Sequence, residues 1–251
     1  MNIKNGGLLF GALLIVACTQ NGSVPAENVY PVQWFSGFTM TEQLAKSVPV
    51  QNQHDVQSLL GQIWYSPFKL INVHTKKVFS TDRCSQILPY ITQLQPVGEN
   101  EIYAYAELAA LCVATKSIAT ARPTKYSALS TFKLDAEFPR HVPKNLALII
   151  SVSEWKKIAQ NKRIVSWARA ETVKFVSKDG EYRAKYAMTG AYQEVSLIAR
   201  GDFNNDGIED LLLFAQSHVV GGSYAAYRLF WVTKKNTSSP ITLTKEYPRA
   251  Y

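Results

Sequence analysis

The strongest constraint on the fold is a series of strand-like segments in the C-terminal half of the chain, each bounded by turn residues. "VKFVSKDGEYRAKYAM" (173–188) carries Asp179-Gly180 as the turn of a hairpin, with Tyr182, Ala184 and Tyr186 alternating onto one face. "QEVSLIA", "EDLLLFAQ", "SYAAYRLFWVT" and "ITLTKEY" follow in order. The N-terminal half has a different texture. Thr39 and Glu42 stand at capping-box spacing and predict a short helix toward Lys46. "IWYSPFKLINV" and "KVFST" predict strands around a turn at residues 74–77. From Asn100, "NEIYAYAELAALCVATKSIA" is Ala-, Leu- and Glu-rich and predicts a helix with an Asn cap, carrying Cys112 on a crowded apolar surface. "LALIIS" predicts a buried strand, and Ser151 with Glu154 caps a helix over "EWKKIAQ". Helices early and strands late give an α+β fold with an antiparallel C-terminal sheet.

Composition bounds the rest. Of 251 residues, 47% are hydrophobic, 12% aromatic and 18% charged, enough for a sizeable core. A single domain over residues 31–251 is expected, with two lobes meeting near "RPTK" (122–125) as the alternative. At the N-terminus, Asn2, Ile3 and Lys4 precede an uncharged apolar run, "GGLLFGALLIVA" (6–17). As a helix this run reaches about 18 Å, against a bilayer core of about 30 Å. It therefore reads as a signal-peptide segment over residues 1–17, and nothing after it approaches a spanning length. Residues 18–30 are small and polar and read as a tether.

"LLIVAC" resembles the lipobox of bacterial lipoproteins, with aliphatic residues, the small Ala17 and then Cys18. The resemblance implies cleavage before Cys18 and lipid on its thiol and new amino group. Thr19 in the next position favours the outer membrane, facing the periplasm, if the cell is Gram-negative. Ordinary secretion with cleavage near Ala26 is the alternative. With Cys18 acylated, Cys84 and Cys112 permit one disulfide, worth about 3–4 kcal/mol for a loop of that length. Two buried free thiols are the other reading, and no Cys/His cluster argues for zinc. The formal charge of +8 and pI near 9.3 favour anionic neighbours in the envelope rather than nucleic acid, or serve solubility alone.

"GDFNNDGIEDLLLF" (201–214) places oxygen-bearing side chains at alternate positions: Asp202, Asn204, Asp206 and, further on, Asp210. Gly207 permits a sharp turn, and Ile208 can present a backbone carbonyl while its side chain enters the core. A hard cation such as Ca²⁺, which takes six to eight oxygens, suits this spacing. Leu213 stands where an EF-hand needs a bidentate Glu, and the flanks are strand-like, so a helix–loop–helix sensor is excluded. The stretch is similar to the calcium loops of FG-GAP and VCBS repeats, which join two strands. That resemblance implies a structural calcium held by Asp202, Asn204, Asp206, the Ile208 carbonyl and Asp210. The family stacks several such loops into a propeller, whereas this chain carries one. A solvated Asx/Gly turn is the alternative.

Catalytic signatures are sparse. His54, His74, His141 and His218 are scattered, and there is no HExxH, GxSxG or Walker A motif. Paired carboxylates leave a glycosidase open. Two stretches could form a binding surface. One is His218 with Gly221 and Gly222, which reads either as a ligand approach or as a hairpin turn. The other is Lys156, Lys157, Lys162 and Arg163 beside Trp155 and Trp167, within a segment (151–200) holding ten Lys/Arg against five Asp/Glu. The expected function is a lipid-anchored envelope protein that binds a partner without turnover, possessing a general resemblance to immunity proteins that neutralise periplasmic toxins; an acidic toxin would be the partner. A cell-wall or surface-polymer hydrolase and a structural envelope-maintenance lipoprotein are the rival readings.

Overall fold

The computed structural model describes residues 29–149 and 151–249, so the expected leader, Cys18 and most of the tether lie outside the described residues. The helices-then-sheet α+β reading is borne out. The large sheet contains β1 (Gln33–Trp34), β5 (Lys174–Asp179), β6 (Arg183–Met188), β7 (Ala191–Gly201), β8 (Asp210–Val219), β9 (Ala225–Thr233) and β10 (Thr242–Tyr247). Its antiparallel order is β10-β9-β8-β7-β6-β5, with β1 pairing on the far end of β7. A small sheet, β3-β2-β4, is made of β2 (Phe68–Asn72), β3 (Val78–Thr81) and β4 (Leu94–Pro96). The Asp179-Gly180 turn forms as read, with Asp179 paired to Arg183 and Gly180 at φ +62.

Both faces of the large sheet are covered. Along β8, Leu211, Leu213 and Ala215 enter one apolar cluster while Leu212 and Phe214 enter the other. A strand with two dry faces has no polar side, which is why this segment reads as a continuous apolar run. In β7 the register slips between Leu197 and Ala199. Leu197 therefore faces one cluster, and Ile198 and Ala199 the other. The Phe35 amide donates to the Ile198 carbonyl at 3.0 Å, which docks the N-terminal strand where β6 has ended.

One face carries α1 (Gln53–Ser58), α2 (Cys84–Ile87) and the long α3 (Ile102–Thr120). Cys84 and Cys112 are joined in a disulfide that ties α2 to α3, as the cysteine count predicts. At the far end of α3, the Gln53 side chain donates to the carbonyls of Ile118 and Ala121 at 2.7 and 2.8 Å, closing two orphan acceptors. Three expectations are corrected here. The α3 N-cap is Glu101, not Asn100, and it makes no side-chain cap, because a 3₁₀ turn over Glu99–Glu101 leads into the helix. The helix is also long and apolar enough to cross a membrane by length and composition. Its apolar character follows from burial on nearly all sides, from Leu108 through Thr115. The helix expected toward Lys46 shrinks to a 3₁₀ turn over Met40–Gln43 with no side-chain cap, since Leu44 leaves it extended to bridge Trp64.

The opposite face is covered by residues 127–149 and 151–171, whose helices are short: α4 (Phe138–His141), α5 (Val152–Gln160), α6 (Trp167–Ala170) and a 3₁₀ turn at Lys144–Leu146. Ser151 caps α5 by accepting the Glu154 amide, as read. The expected strand over "LALIIS" does not form among its described residues, 146–149 and 151. Leu146, Ala147, Leu148 and Ile149 are buried, but this stretch crosses the sheet without joining a ladder. The 3₁₀ turn over Lys144–Leu146 pairs the Leu146 and Ala147 amides with the Pro143 and Lys144 carbonyls, and side chains from the sheet and from Glu171, just after α6, satisfy other backbone groups. Gln193 donates to the Leu146 carbonyl at 3.1 Å, Arg228 to the Asn145 carbonyl at 2.9 Å, and Glu171 accepts the Leu148 amide at 3.0 Å. Buried backbone demands partners, and side chains can provide them as well as a neighbouring strand can.

Candidate functional site

The acidic loop sits between β7 and β8 and closes on itself. Asp202, 3% exposed, accepts the amides of Asn204, Asn205 and Asp206 on Oδ1 and that of Gly207 on Oδ2, at 2.6–3.3 Å. Asn204 Oδ1 accepts the Asp206 amide and Asp206 Oδ1 the Ile208 amide. Asn205 and Gly207 take positive φ, +65 and +81, which turn the chain tightly enough for this wrapping. Ile208 is half-buried and belongs to neither apolar cluster, so its side chain does not enter the core as expected.

The loop is sewn to a distant segment. Asp202 and Arg122 exchange backbone hydrogen bonds at 2.9 Å in both directions. The Gly207 carbonyl accepts the amides of Lys125 and Tyr126, and the Glu209 amide returns to Tyr126. Thr124 in turn exchanges hydrogen bonds with Tyr30. Residues 122–126 thus clasp the loop to the N-terminal chain. Nothing in the local sequence of this segment announces the role. Glu209, beside the loop, is also spent inward: it accepts Ser127 Oγ at 2.6 Å and pairs with Arg200 at 3.1 Å.

Asp210 is the exception. It is fully buried, and its Oδ2 accepts the Phe203 amide at 3.1 Å. Its Oδ1 has no hydrogen-bond partner. The hydroxyl of Thr233, its cross-strand neighbour, donates at 3.3 Å to the Glu209 carbonyl. Burial pushes the Asp210 carboxyl up to about 7; the Phe203 amide and the nearness of Thr233 oppose this, and Asp206 and Asp202 add to it. A dry carboxylate oxygen with two further carboxylates nearby calls for a cation or a proton. The donor chemistry, hard oxygens at alternate positions with one left unspent, fits Ca²⁺. Among the described residues, however, no group of three or more His, Cys, Asp or Glu side chains is gathered as a metal cluster. The other loop oxygens are turned toward amides, the geometry of the Asx/Gly-turn alternative.

The basic stretch divides. Lys156, Lys157, Lys162 and Arg163 are exposed, and their side chains make no ion pair or hydrogen bond among the described residues. Trp155 is half-buried against a groove formed with Asn145, Leu243 and Arg249. Lys144 Nζ donates to the Ile158 and Ala159 carbonyls, which anchors the end of α5. Trp167, expected beside these cations, is wholly buried and donates its indole N–H to Glu171 at 2.6 Å, so it is core. His218 lies on β8, stacked on Tyr192 at 5.1 Å and edge-on to Tyr227. Gly221 at φ +75 makes the β8–β9 turn in open space, and Gly222 follows it.

Comparison of the chain with protein-family models, with curated proteins and with solved structures finds no match.

Proposed function

We propose that this is a non-catalytic binding protein of the bacterial cell envelope, anchored by lipid on Cys18 at the outer membrane and facing the periplasm. Its contact surface is α5 with the turn that follows. The observation that carries this reading is a set of four exposed cations, Lys156, Lys157, Lys162 and Arg163, whose side chains make no ion pair or hydrogen bond among the described residues, beside the half-buried Trp155. Unspent charge steers an acidic protein toward the surface, and an aromatic side chain anchors it. An acidic toxin neutralised in the periplasm fits that chemistry. Capture from envelope extract by wild-type protein, with a Lys156→Glu/Lys157→Glu/Arg163→Glu variant alongside, tests it. Wild type is expected to retain an acidic protein that the variant loses; equal recovery by both removes this surface from the reading.

The same proposal gives the clasp a structural calcium. Asp202, Asn204, Asp206, the Ile208 carbonyl and Asp210 would hold the ion, and it would brace the junction of loop, residues 122–126 and N-terminal chain. What supports it is the unpartnered Oδ1 of the buried Asp210. Binding to the native state alone adds about 2.7 kcal/mol at a hundredfold excess over Kd. Calorimetric melting should therefore shift up with calcium for wild type and not for Asp206→Ala. The same Tm in EGTA and in excess calcium leaves only the self-closed turn.

A further inference from the structure

On the face of the sheet away from α3, a cleft of about 430 Å³ opens between residues 128–142, residues 165–166 and the 234–241 connection. This is the size of a small-molecule site. Its apolar wall is made by Leu129, Phe132, Phe138, Val142, Val165 and Ile241. Leu129, Phe138 and Val142 belong to the core and so form a rigid floor, whereas Val165 is 68% exposed at the mouth. An outward-facing valine over an apolar floor is a surface that gains by being covered.

The charged groups of the cleft are unequally spent. Lys133, Arg140 and Lys234 line the cleft together with Asp135 and Glu137. Glu137 and Arg140 neutralise one another at 2.8 Å. Asp135 Oδ1 is used as a turn acceptor for the amides of Glu137 and Phe138, at 2.9 and 3.1 Å. Lys133, Lys234 and the imidazole of His141 have no ion pair or hydrogen bond among the described residues. Three Lys/Arg against two Asp/Glu leave a formal +1, with Lys133 and Lys234 lining the same cleft as the apolar residues. Lysine supplies a mobile point charge that can close over an anionic head while its stem lies on apolar surface.

We propose that this cleft binds a small organic monoanion: one carboxylate, held by Lys133 and Lys234, on an apolar body that lies against Phe132, Phe138 and Val165. A monoanion balances the cleft's charge, and an apolar body removes Val165 and the ring edges from water. The assignment is independent of α5 and of the acidic loop.

Titration calorimetry with decanoate tests it, using the Cys18→Ser chain purified without detergent. Decyltrimethylammonium, with the same apolar chain and the opposite charge, is the control. Decanoate is expected to bind saturably at one site, and the cation at least tenfold more weakly. Lys133→Glu/Lys234→Glu should weaken decanoate at least tenfold, and Val165→Trp, which fills the mouth from an exposed position, should weaken it too. Lys156→Glu/Lys157→Glu should leave the affinity unchanged while changing the partner capture described above. Absence of saturable binding, equal binding of both amphiphiles, or equal affinity in the Lys133→Glu/Lys234→Glu variant with an unchanged Tm would overturn the proposal.

Discussion

The two faces of the large sheet are covered by opposite strategies. On one face α3 supplies its own backbone hydrogen bonds, so its cover needs little from the sheet beyond apolar contact, and the Cys84–Cys112 disulfide adds a covalent tie. On the other face, residues 144–149 make one 3₁₀ turn (Lys144–Leu146), join no strand, and complete their backbone hydrogen bonding with Gln193, Arg228 and Glu171. The first arrangement buries its central helix on nearly all sides. The second depends on a few long side chains reaching across the fold, and it leaves the cleft and the basic helix α5 open to solvent. Irregular cover is where a sheet protein can place binding groups without breaking a ladder.

This comparison can be broken first at Arg228. Its guanidinium pairs with Glu246 at 2.9 Å, with both side chains at most 13% exposed, and also donates to the Asn145 carbonyl. Arg228→Ala removes the cationic partner of a carboxylate only 10% exposed and a donor to the Asn145 carbonyl, so urea unfolding should report a loss of about 3–5 kcal/mol. A loss below about 1 kcal/mol would mean that the second face does not rely on borrowed hydrogen bonds. The next test falls on the first face. Replacing Cys84 and Cys112 together by Ser should cost about 2–4 kcal/mol, read the same way under non-reducing conditions. If it costs more than Arg228→Ala, the covalent tie, rather than helix packing, carries that face.

The smallest expected effect sharpens the contrast through pH. Burial raises the Glu171 carboxyl above its ordinary value, although the Leu148 amide and the Trp167 indole N–H both donate to it. A raised folded pKa binds the proton more tightly in the native state. Its stabilisation is present in full below the unfolded value, about 4.3, and is lost as pH rises through the raised folded value. Gln at this position keeps an oxygen for both donors and cannot ionise. Glu171→Gln should therefore gain on wild type as pH rises from 4 toward neutrality, seen as converging or crossing Tm curves. Parallel curves would remove Glu171 from the pH response.

Much of this fold is legible where the controlling interactions are local. Tyr182, Ala184 and Tyr186 share a face because strand side chains alternate, and Asp179-Gly180 turns because glycine accepts positive φ. Ser151 caps α5 across three residues, and α3 forms from helix-favouring residues. The acidic loop was legible as a wrapped turn for the same reason: its hydrogen bonds span two to five residues.

What the sequence by itself determined, then, is the order of elements, the α+β class and the cysteines available to pair. Tertiary structure alone decided that Trp167 is core while Lys156 and Lys157 are surface, and that residues 146–149 cross the sheet rather than join it. It also decided that residues 122–126 clasp the acidic loop, and that Asp210 keeps an unpartnered buried oxygen. The physical reason lies in the reach of the bonds. Arg228 meets Asn145 across 83 residues and Gln193 meets Leu146 across 47. Local propensity cannot encode a partner whose position exists only once the sheet has formed.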